Sequence, residues 1–381
     1  MNLSVEKPRV LFIQATEPGA YPPLINAAHL MAEAGWEVTF LAAPFAGMRL
    51  QVNPSPAITV IDMPERPSHV LTKADYWNYC RQAVILARRL KPRVVYASDP
   101  IGALPGLLAA KFSGGRLVYH EHDSPTAESE LHSVVRWARR FAATAASLVV
   151  LPNAERGRLA QQSIGFNPDK LKIVWNVPRR AVIPDMPNKP DSPLILYFHG
   201  SITPDRLPET VVEAVSRFNG AIRLDVAGYE APGAKRYIQN LVDRFNRNGL
   251  ELIRYLGPIT YQDDLLKQAA QSHVGLALMP MESADVNMRY MVGASNKPFD
   301  YMAAGLPLLV SDIPEWRATY VDQGFGLACN PNSVPSIEDA LKAYLEDLRM
   351  REHMAKQCRD AIKNKWCYEN YFGSVIKTFA L

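Results

Sequence analysis

Three stretches of this 381-residue sequence carry residue types and spacings that could do chemistry. The first is Gly200-Ser201-Ile202-Thr203-Pro204-Asp205-Arg206, between an apolar run and a helical stretch. Glycine lets a bulky anion approach the backbone, a helix N-terminus offers free N–H groups, and Arg206 could grip two phosphate oxygens. One glycine falls short of a phosphate-loop fingerprint, so a plain strand-to-helix turn with a surface arginine fits the same residues. The second is Ser295-Asn296-Lys297-Pro298-Phe299-Asp300-Tyr301-Met302-Ala303-Ala304-Gly305-Leu306-Pro307. Ser295 or Asn296 can cap a helix, Pro298 suits its first turn and Gly305 ends it. Asp300, one turn in, is placed either to accept hydrogen bonds from a ribose diol or merely to complement the helix dipole.

The third stretch, Tyr119-His120-Glu121-His122-Asp123, closes an apolar run. Histidines at i and i+2 share one face of a strand and Glu121 points to the other, which leaves two imidazoles and no third metal ligand. No Asp-x-Asp occurs to bridge a cation to a diphosphate, so a polar site without metal is expected here.

These residues need a scaffold, and the apolar runs supply one. Val10 to Gln14 reads as a buried parallel strand, followed by the turn Thr16-Glu17-Pro18-Gly19-Ala20. A helix then runs from Pro22 to Gly35 and a second strand covers Val38 to Leu41, which makes a βαβ unit. Val94 to Ala97, Arg116 to Tyr119, Leu148 to Leu151 and Ile173 to Trp175 read as further strands, with a helix near Leu104 to Phe112. Pro178, Pro184, Pro187, Pro190 and Pro193 mark a linker. A second series of strands follows at Leu194 to Phe198, Ile222 to Ala227, Leu252 to Leu256, Val274 to Leu278 and Leu308 to Val310. Helices near Pro208 to Phe218, Ala234 to Asn246, Asp263 to Gln271 and Lys297 to Ala304 lie between them. The expected fold class is α/β, with two Rossmann-like domains facing across a cleft at the carboxyl ends of their sheets. The boundaries expected are 1–183, 184–358, and a helical segment 359–381 packing back on the first domain.

Composition narrows the function classes. Hydrophobic residues at 48% and charged residues at 21% exclude disorder, and the net charge of +4 is too mild to imply nucleic acid. Four cysteines without a CxxC pair argue against a disulfide framework or zinc site and fit a cytoplasmic protein. The start, MNLSVEKPRVLFIQ, runs straight into a strand without an export signal, which disfavours a periplasmic-type binding protein. The basic, aromatic stretch Leu131 to Phe141 reads either as a packed helix with a solvated face or as a peripheral contact with the inner face of an anionic membrane.

The segment NKPFDYMAAGLPLLVSD resembles the donor-site helix of the family 4 glycosyltransferases, usually Lys-x-Phe-Glu-Tyr-Met-Ala-Ala-Gly-x-Pro. The resemblance takes in the Gly200 loop, the strand ends Val226-Ala227-Gly228 and Leu256-Gly257, and the closing segment around Trp366. It is looser over the first half, through the Gly19 loop, His122-Asp123 and Trp175-Asn176-Val177. It implies a GT-B enzyme that moves a sugar, with retention, from a UDP- or GDP-sugar bound on the second domain. The acceptor implied is a glycan, a lipid-linked glycan or a small molecule, with no cofactor and no metal. By the resemblance Arg206 stands for the diphosphate-binding lysine and Ser201 for the arginine before it. Asp300 stands for the ribose-binding second glutamate of Glu-x7-Glu, and His122 for the histidine that touches the sugar. Gly200, Leu256, Asn296 and Lys297 fall on the donor side, and Gly19 and Asp123 on the sugar or acceptor side. Val292 replaces the first glutamate, and Glu282 reads either as the candidate to take over its role or as an ordinary solvated loop glutamate. A nucleotide-sugar epimerase of the same fold, or an inactive scaffold of it, are the rival readings.

Overall fold

A computed structural model describes residues 7–44, 50–67, 71–125, 131–190, 192–231, 233–247 and 249–379. Met1 to Glu6, part of the start considered above, lie outside the described residues. In chain order the first elements are β1 (Arg9–Gln14), α1 (Pro22–Glu33), β2 (Glu37–Ala42), β3 (Ile58–Asp62), α2 (Lys73–Leu90), β4 (Val94–Ser98), α3 (Asp99–Ser113) and β5 (Arg116–His120). Next come α4 (Ser133–Ala145), β6 (Leu148–Leu151), α5 (Ala154–Ile164), β7 (Leu171–Ile173), β8 (Leu194–Ile202), α6 (Glu209–Ser216), β9 (Ile222–Glu230) and α7 (Tyr237–Phe245). They are followed by β10 (Ile253–Gly257), α8 (Gln262–Ala270), β11 (Val274–Ala277), α9 (Val286–Arg289), α10 (Lys297–Ala303) and β12 (Leu308–Ser311). The last are α11 (Pro314–Trp316), β13 (Gly326–Cys329), α12 (Val334–Glu346), α13 (Leu348–Asn364) and α14 (Tyr368–Phe379).

The chain forms two compact units. The first comprises Met1–Asn176, Ala284–Ala294 and Tyr368–Leu381, and the second Val177–Ser283 and Ser295–Cys367. The first holds a seven-stranded sheet in the order β3-β2-β1-β4-β5-β6-β7, parallel throughout. Its strands are apolar on both faces because both are covered. On one side Tyr79, Ala83 and Ala87 of α2, Ala103 and Ala110 of α3, and Ala138 and Ala142 of α4 pack on Leu11, Val95, Leu117 and Val149. On the other, Phe12 stacks on Tyr96 at 4.6 Å, and Phe372 of α14 closes on Tyr96 at 6.2 Å.

The second unit holds six parallel strands in the order β10-β9-β8-β11-β12-β13. Val211 and Val212 of α6, Ile238 and Leu241 of α7, and Ile337 and Leu341 of α12 cover one face. In each sheet the order reverses direction beside the first strand of its series, and the crevice at the carboxyl ends there is where such folds bind ligands.

Close packing fixes the helix that matters most. Gly275 on β11 has no side chain, so the buried ring of Tyr301 lies directly against its backbone; a Cβ there would overlap Tyr301 Cβ and Cγ. The Tyr301 hydroxyl, thus placed, accepts a hydrogen bond from the His199 amide on β8 at 2.9 Å.

Local structure departs from the sequence expectations in several places. β8 continues to Ile202, so Gly200 and Ser201 are strand residues paired with Gly228 and Tyr229, and α6 starts only at Glu209. Neither Ser295 nor Asn296 caps α10: Asn296, at the N-cap position, is itself helical and makes no capping bond. The strand expected at Ile173 to Trp175 lies at Leu171–Ile173, and α7 begins at Tyr237 because Arg236 before it is left-handed at φ 64°. β3, α2, α5 and β13 were not foreseen. Among the described residues no helix is long and apolar enough to cross a membrane. Gly275→Val is expected to destabilise the protein by about 1–3 kcal/mol through overpacking against Tyr301. Urea unfolding measures this, and an unchanged midpoint would show that α10 does not depend on that contact.

Candidate active site

In the second unit the carboxyl end of β8 and the first turn of α10 converge. Gly200 is left-handed, at φ 102°, and Lys297 lies across it: a Cβ added at Gly200 would stand 3.4 Å from Lys297 Cε. The ammonium sits 5.5 Å from the Phe198 ring centre. Burial pushes the Lys297 pKa down to about 7, with Arg206 adding repulsion and Asp300 partly offsetting both. Arg206 is half-buried in the turn after β8, its amide bonded to Thr203 O at 3.1 Å. Two cations are therefore held together, one of them largely out of water. Asp300 is 2% exposed and places Oδ2 3.3 Å from His199 Nε2. Burial lowers the His199 pKa although Asp300 works against it, and His199 Nδ1 is buried without a partner. His199 is a residue the sequence reading missed; its only signal was its place one residue before Gly200, at the strand end.

The other donor-side candidates are less central. Ser201 is half-buried on β8, and Asn296 half-buried just ahead of α10. Leu256 is half-buried near the end of the edge strand β10. Glu282 is exposed on the loop after β11.

In the first unit the ends of β4 and β5 build a second polar cluster. His122 is 5% exposed, and both its ring nitrogens are buried without a hydrogen-bond partner. Its ring lies 3.7 Å from that of His120 and 5.4 Å from that of Tyr21, centre to centre. Burial, with repulsion from Arg156 behind it, lowers the His122 pKa to about 3, so the ring is neutral. A neutral imidazole with unmet nitrogens is a donor and an acceptor awaiting hydroxyl groups. His120 is occupied differently: its Nδ1 bonds the Tyr96 hydroxyl at 2.7 Å.

The backbone around His122 is held by two residues that sequence reasoning did not single out. Asp99, at the start of α3 with φ 60°, accepts from the His122 amide at 2.7 Å and the Asp123 amide at 3.3 Å. A non-glycine residue at positive φ costs energy and tends to mark a functional position. Arg156, 2% exposed, donates to His122 O at 2.8 Å, Asn287 O at 2.6 Å and Tyr290 O at 3.0 Å. Asp123 is exposed. Gly19 has no room for a side chain, because the backbone of Leu50 and Gln51 passes directly over it.

Glu121 lies one residue past the end of β5 and is engaged away from the imidazoles. It accepts two hydrogen bonds from Arg139 at 2.7 Å each, one from Tyr119 and one from Ser124. Burial alone would raise its pKa, but these donors outweigh burial and keep it lowered and ionised. It is a structural anion. Among the described residues no group of three His, Cys, Asp or Glu could hold a metal ion.

Val292, at the position where the resemblance expects a glutamate, is 5% exposed, and its carbonyl accepts from Asn153 at 2.9 Å. It belongs to the segment Ala284–Ala294, which is part of the first unit and is held by Asn153, Arg156 and Asn176. A glutamate there would be a buried charge.

Two parallel, doubly wound units, each with its polar residues at the carboxyl ends of its strands, define the GT-B class. Residues 25–176 match the family described as glycosyl transferase 4-like domain, and residues 193–347 match glycosyl transferases group 1. Together these spans take in most of the chain. The chain belongs to the family 4 glycosyltransferases, retaining enzymes that draw on a nucleotide-sugar donor. It is 25% identical over 305 residues to a UDP-N-acetylglucosamine–N-acetylmuramyl-(pentapeptide) pyrophosphoryl-undecaprenol N-acetylglucosamine transferase of Paraburkholderia phytofirmans, covering 77% of this chain and 76% of that one. Its fold is similar to that of Anabaena HepE, solved with UDP and glucose, at a TM-score of 0.68 and 16% identity, covering 97% and 98% of the two chains. It is also similar to sucrose-phosphate synthase from Thermosynechococcus elongatus, at a TM-score of 0.68 and 14% identity, covering 98% of each.

Lys297 provides a pH test. It is cationic below about pH 7 and neutral above, while the diphosphate of a nucleotide-sugar stays ionised throughout. The kcat/KM for donor, which reports the free enzyme, is expected to fall as pH rises through about 7. Lys297→Arg should carry the plateau to higher pH, because a guanidinium does not titrate there. A profile identical in both proteins assigns the descending limb to another group.

Proposed function

We propose that Arg206 and Lys297 hold the diphosphate of a UDP-sugar, and that His122 hydrogen-bonds the sugar to be transferred. The observation that carries this is the pairing of half-buried Arg206 with a lysine whose pKa is forced down to about 7 beside left-handed Gly200. Such a pairing is costly in the free protein and is relieved by an anion. UDP is favoured over GDP because HepE was solved with UDP and the Paraburkholderia transferase is named for a UDP-sugar.

Asp300 is the donor's ribose contact in this reading, with one carboxylate oxygen steadied by His199 Nε2. Leu256, Asn296 and Ser201 complete the donor side, and Gly19, Asp123 and Glu282 the sugar and acceptor side. The acceptor proposed is a lipid-linked glycan, in line with the pyrophosphoryl-undecaprenol in the Paraburkholderia relative's name.

The chemistry follows from the charges. The bond from the sugar's anomeric carbon to the diphosphate oxygen breaks, negative charge grows on the leaving group, and the acceptor oxygen bonds to the same face. The acceptor's proton passes to the departing phosphate oxygen, so no protein base is needed. Fixed cations at the diphosphate stabilise this transition state more than the ground state.

Arg206→Ala should cost turnover roughly 2.7–4 kcal/mol, by analogy with loss of an oxyanion donor, at an unchanged unfolding midpoint. Activity within a factor of about three of the parent removes Arg206 from the phosphate site. Asp300→Asn should instead raise the donor KM more than it lowers kcat at low pH, with the loss of kcat growing as pH rises because Asp300 also favours protonated Lys297. Transfer is expected to survive exhaustive chelation. Loss of activity with chelator and its recovery on adding a divalent ion would replace the two cations with a metal-bound diphosphate.

A further inference from the structure

The proline-marked stretch before β8 has no part in the proposed donor site, yet it shapes a cavity of its own. Residues 184–190 belong to the second unit and are held at both ends. Arg359 of α13 donates to Pro184 O at 2.8 Å. His273 accepts from the Ile195 amide at Nδ1, 2.9 Å away, and donates from Nε2 to Pro190 O at 3.0 Å. Between these ends Met186 lies over Gly305, just past α10, where a Cβ would stand 2.6 Å from Met186 Sδ and 3.1 Å from Arg359 Cδ. This stretch, the glycine and α13 border a cavity of about 480 Å³, the size of a small-molecule site.

Its charged wall is mainly cationic. Lys189, Arg351, Lys356, Arg359 and Lys363 line it, against two carboxylates, Glu352 and Asp360, both exposed. Arg351, Ala355 and Arg359 recur every four residues along α13, so they share one side of the helix, and the small alanine leaves room between the two arginines. Each guanidinium is steadied by a backbone carbonyl, Arg351 by Tyr344 O and Arg359 by Pro184 O, both at 2.8 Å. Lys189 is half-buried beside them, and burial together with repulsion from Arg351 and Arg359 lowers its pKa to about 8. Among the described residues it pairs with no carboxylate. A lysine on a surface carries its ammonium out to water on its long stem. Here it is kept beside two guanidinium groups, which costs the free protein and is offset by an anion. Met186 and Leu348, both among the exposed large hydrophobic side chains, form the apolar part of the wall with Pro187.

We infer that this cavity binds a phosphorylated small molecule, with its phosphate among Lys189, Arg351 and Arg359 and its organic part against Met186, Pro187 and Leu348. Guanidinium groups present paired N–H donors that match phosphate oxygens, and lysine adds a point charge. A bare phosphate ion would leave most of the cavity empty, and the apolar wall answers to carbon rather than to charge. None of these residues is assigned to the donor, so the inference stands or falls apart from the proposed transfer.

Calorimetric titration of the full chain, at neutral pH and near-physiological salt, tests it with glucose-6-phosphate, glycerol-3-phosphate and 3-phosphoglycerate. Glucose and inorganic phosphate are the controls. At least one of the esters should bind more tightly than inorganic phosphate, and glucose should not bind. Lys189→Met is expected to weaken that binding roughly tenfold or more, because it removes a charged partner of the phosphate. Its ligand-free unfolding midpoint should be no lower than the parent's, since a repelled charge is removed. Arg206→Ala, which strikes the proposed diphosphate site, should bind the ester as the parent does. Binding of none of the esters, binding no tighter than that of inorganic phosphate, or parent-like binding by Lys189→Met overturns the inference. Loss of ester binding in Arg206→Ala overturns it in favour of the donor site, and a lowered Lys189→Met midpoint overturns it by making the lysine structural.

Discussion

The second unit turns on the buried carboxylate of Asp300. It lies in the first turn of α10, within ion-pair distance of His199, and its charge partly offsets the burial of Lys297. Take it away and Lys297, whose protonated form burial and the Arg206 guanidinium already oppose, loses the carboxylate that favours it. Its position is in turn set by packing, because α10 lies against the sheet only where Gly275 leaves room for the Tyr301 ring. Electrostatics and close packing thus fix the same helix turn. Aspartate in place of the longer glutamate keeps the carboxylate near its own backbone, within reach of His199.

The first unit reaches the same end by different means. Its cluster is organised through backbone groups: Asp99 gathers the amides of His122 and Asp123, and Arg156 gathers the carbonyls of His122, Asn287 and Tyr290. Side chains that spend their hydrogen bonds on the main chain fix a loop without filling the space in front of it. His122 is left with two unmet nitrogens as a result, and the strain at Asp99 is sustained by the bonds it makes. The ion pair of Glu121 with Arg139 anchors the strand end from behind.

Much of this was legible in the sequence, and the limits have physical causes. The buried parallel strands announced themselves as apolar runs, because a sheet covered on both faces must be apolar on both. β3 was passed over although Ile58-Thr59-Val60-Ile61 is as apolar as Val38 to Leu41; it is an edge strand whose Thr59, Val60 and Ile61 are exposed. α2 escaped because its buried side is narrow and its outer side mixes arginine with tryptophan, which blurs a helical period. Within the site, Lys297 and Asp300 were found through a motif with fixed spacing. His199, Asp99 and Arg156 act through contacts to residues 101, 23 and 131–134 positions away, and no local pattern encodes such distances. The Gly200 stretch was read as a place where a helix N-terminus could meet an anion, but α6 starts only at Glu209, and what lies across Gly200 is Lys297, brought from α10 by the fold.

The two clusters differ in charge in a way that suits the proposed transfer. The residues assigned to the diphosphate are a guanidinium and a lysine that is cationic below about pH 7, whereas the histidine assigned to the sugar is held neutral, its pKa lowered to about 3 by burial and by Arg156. Breaking a bond between a sugar and a phosphate puts positive character on the sugar ring, as in glycoside cleavage generally. A protonated imidazole at the sugar would oppose that charge, while a neutral one can hydrogen-bond hydroxyl groups and leave the developing cation undisturbed. Arg156 therefore has an electrostatic effect besides its structural one: its charge, spent on three backbone carbonyls, also keeps a proton off the ring whose loop it holds.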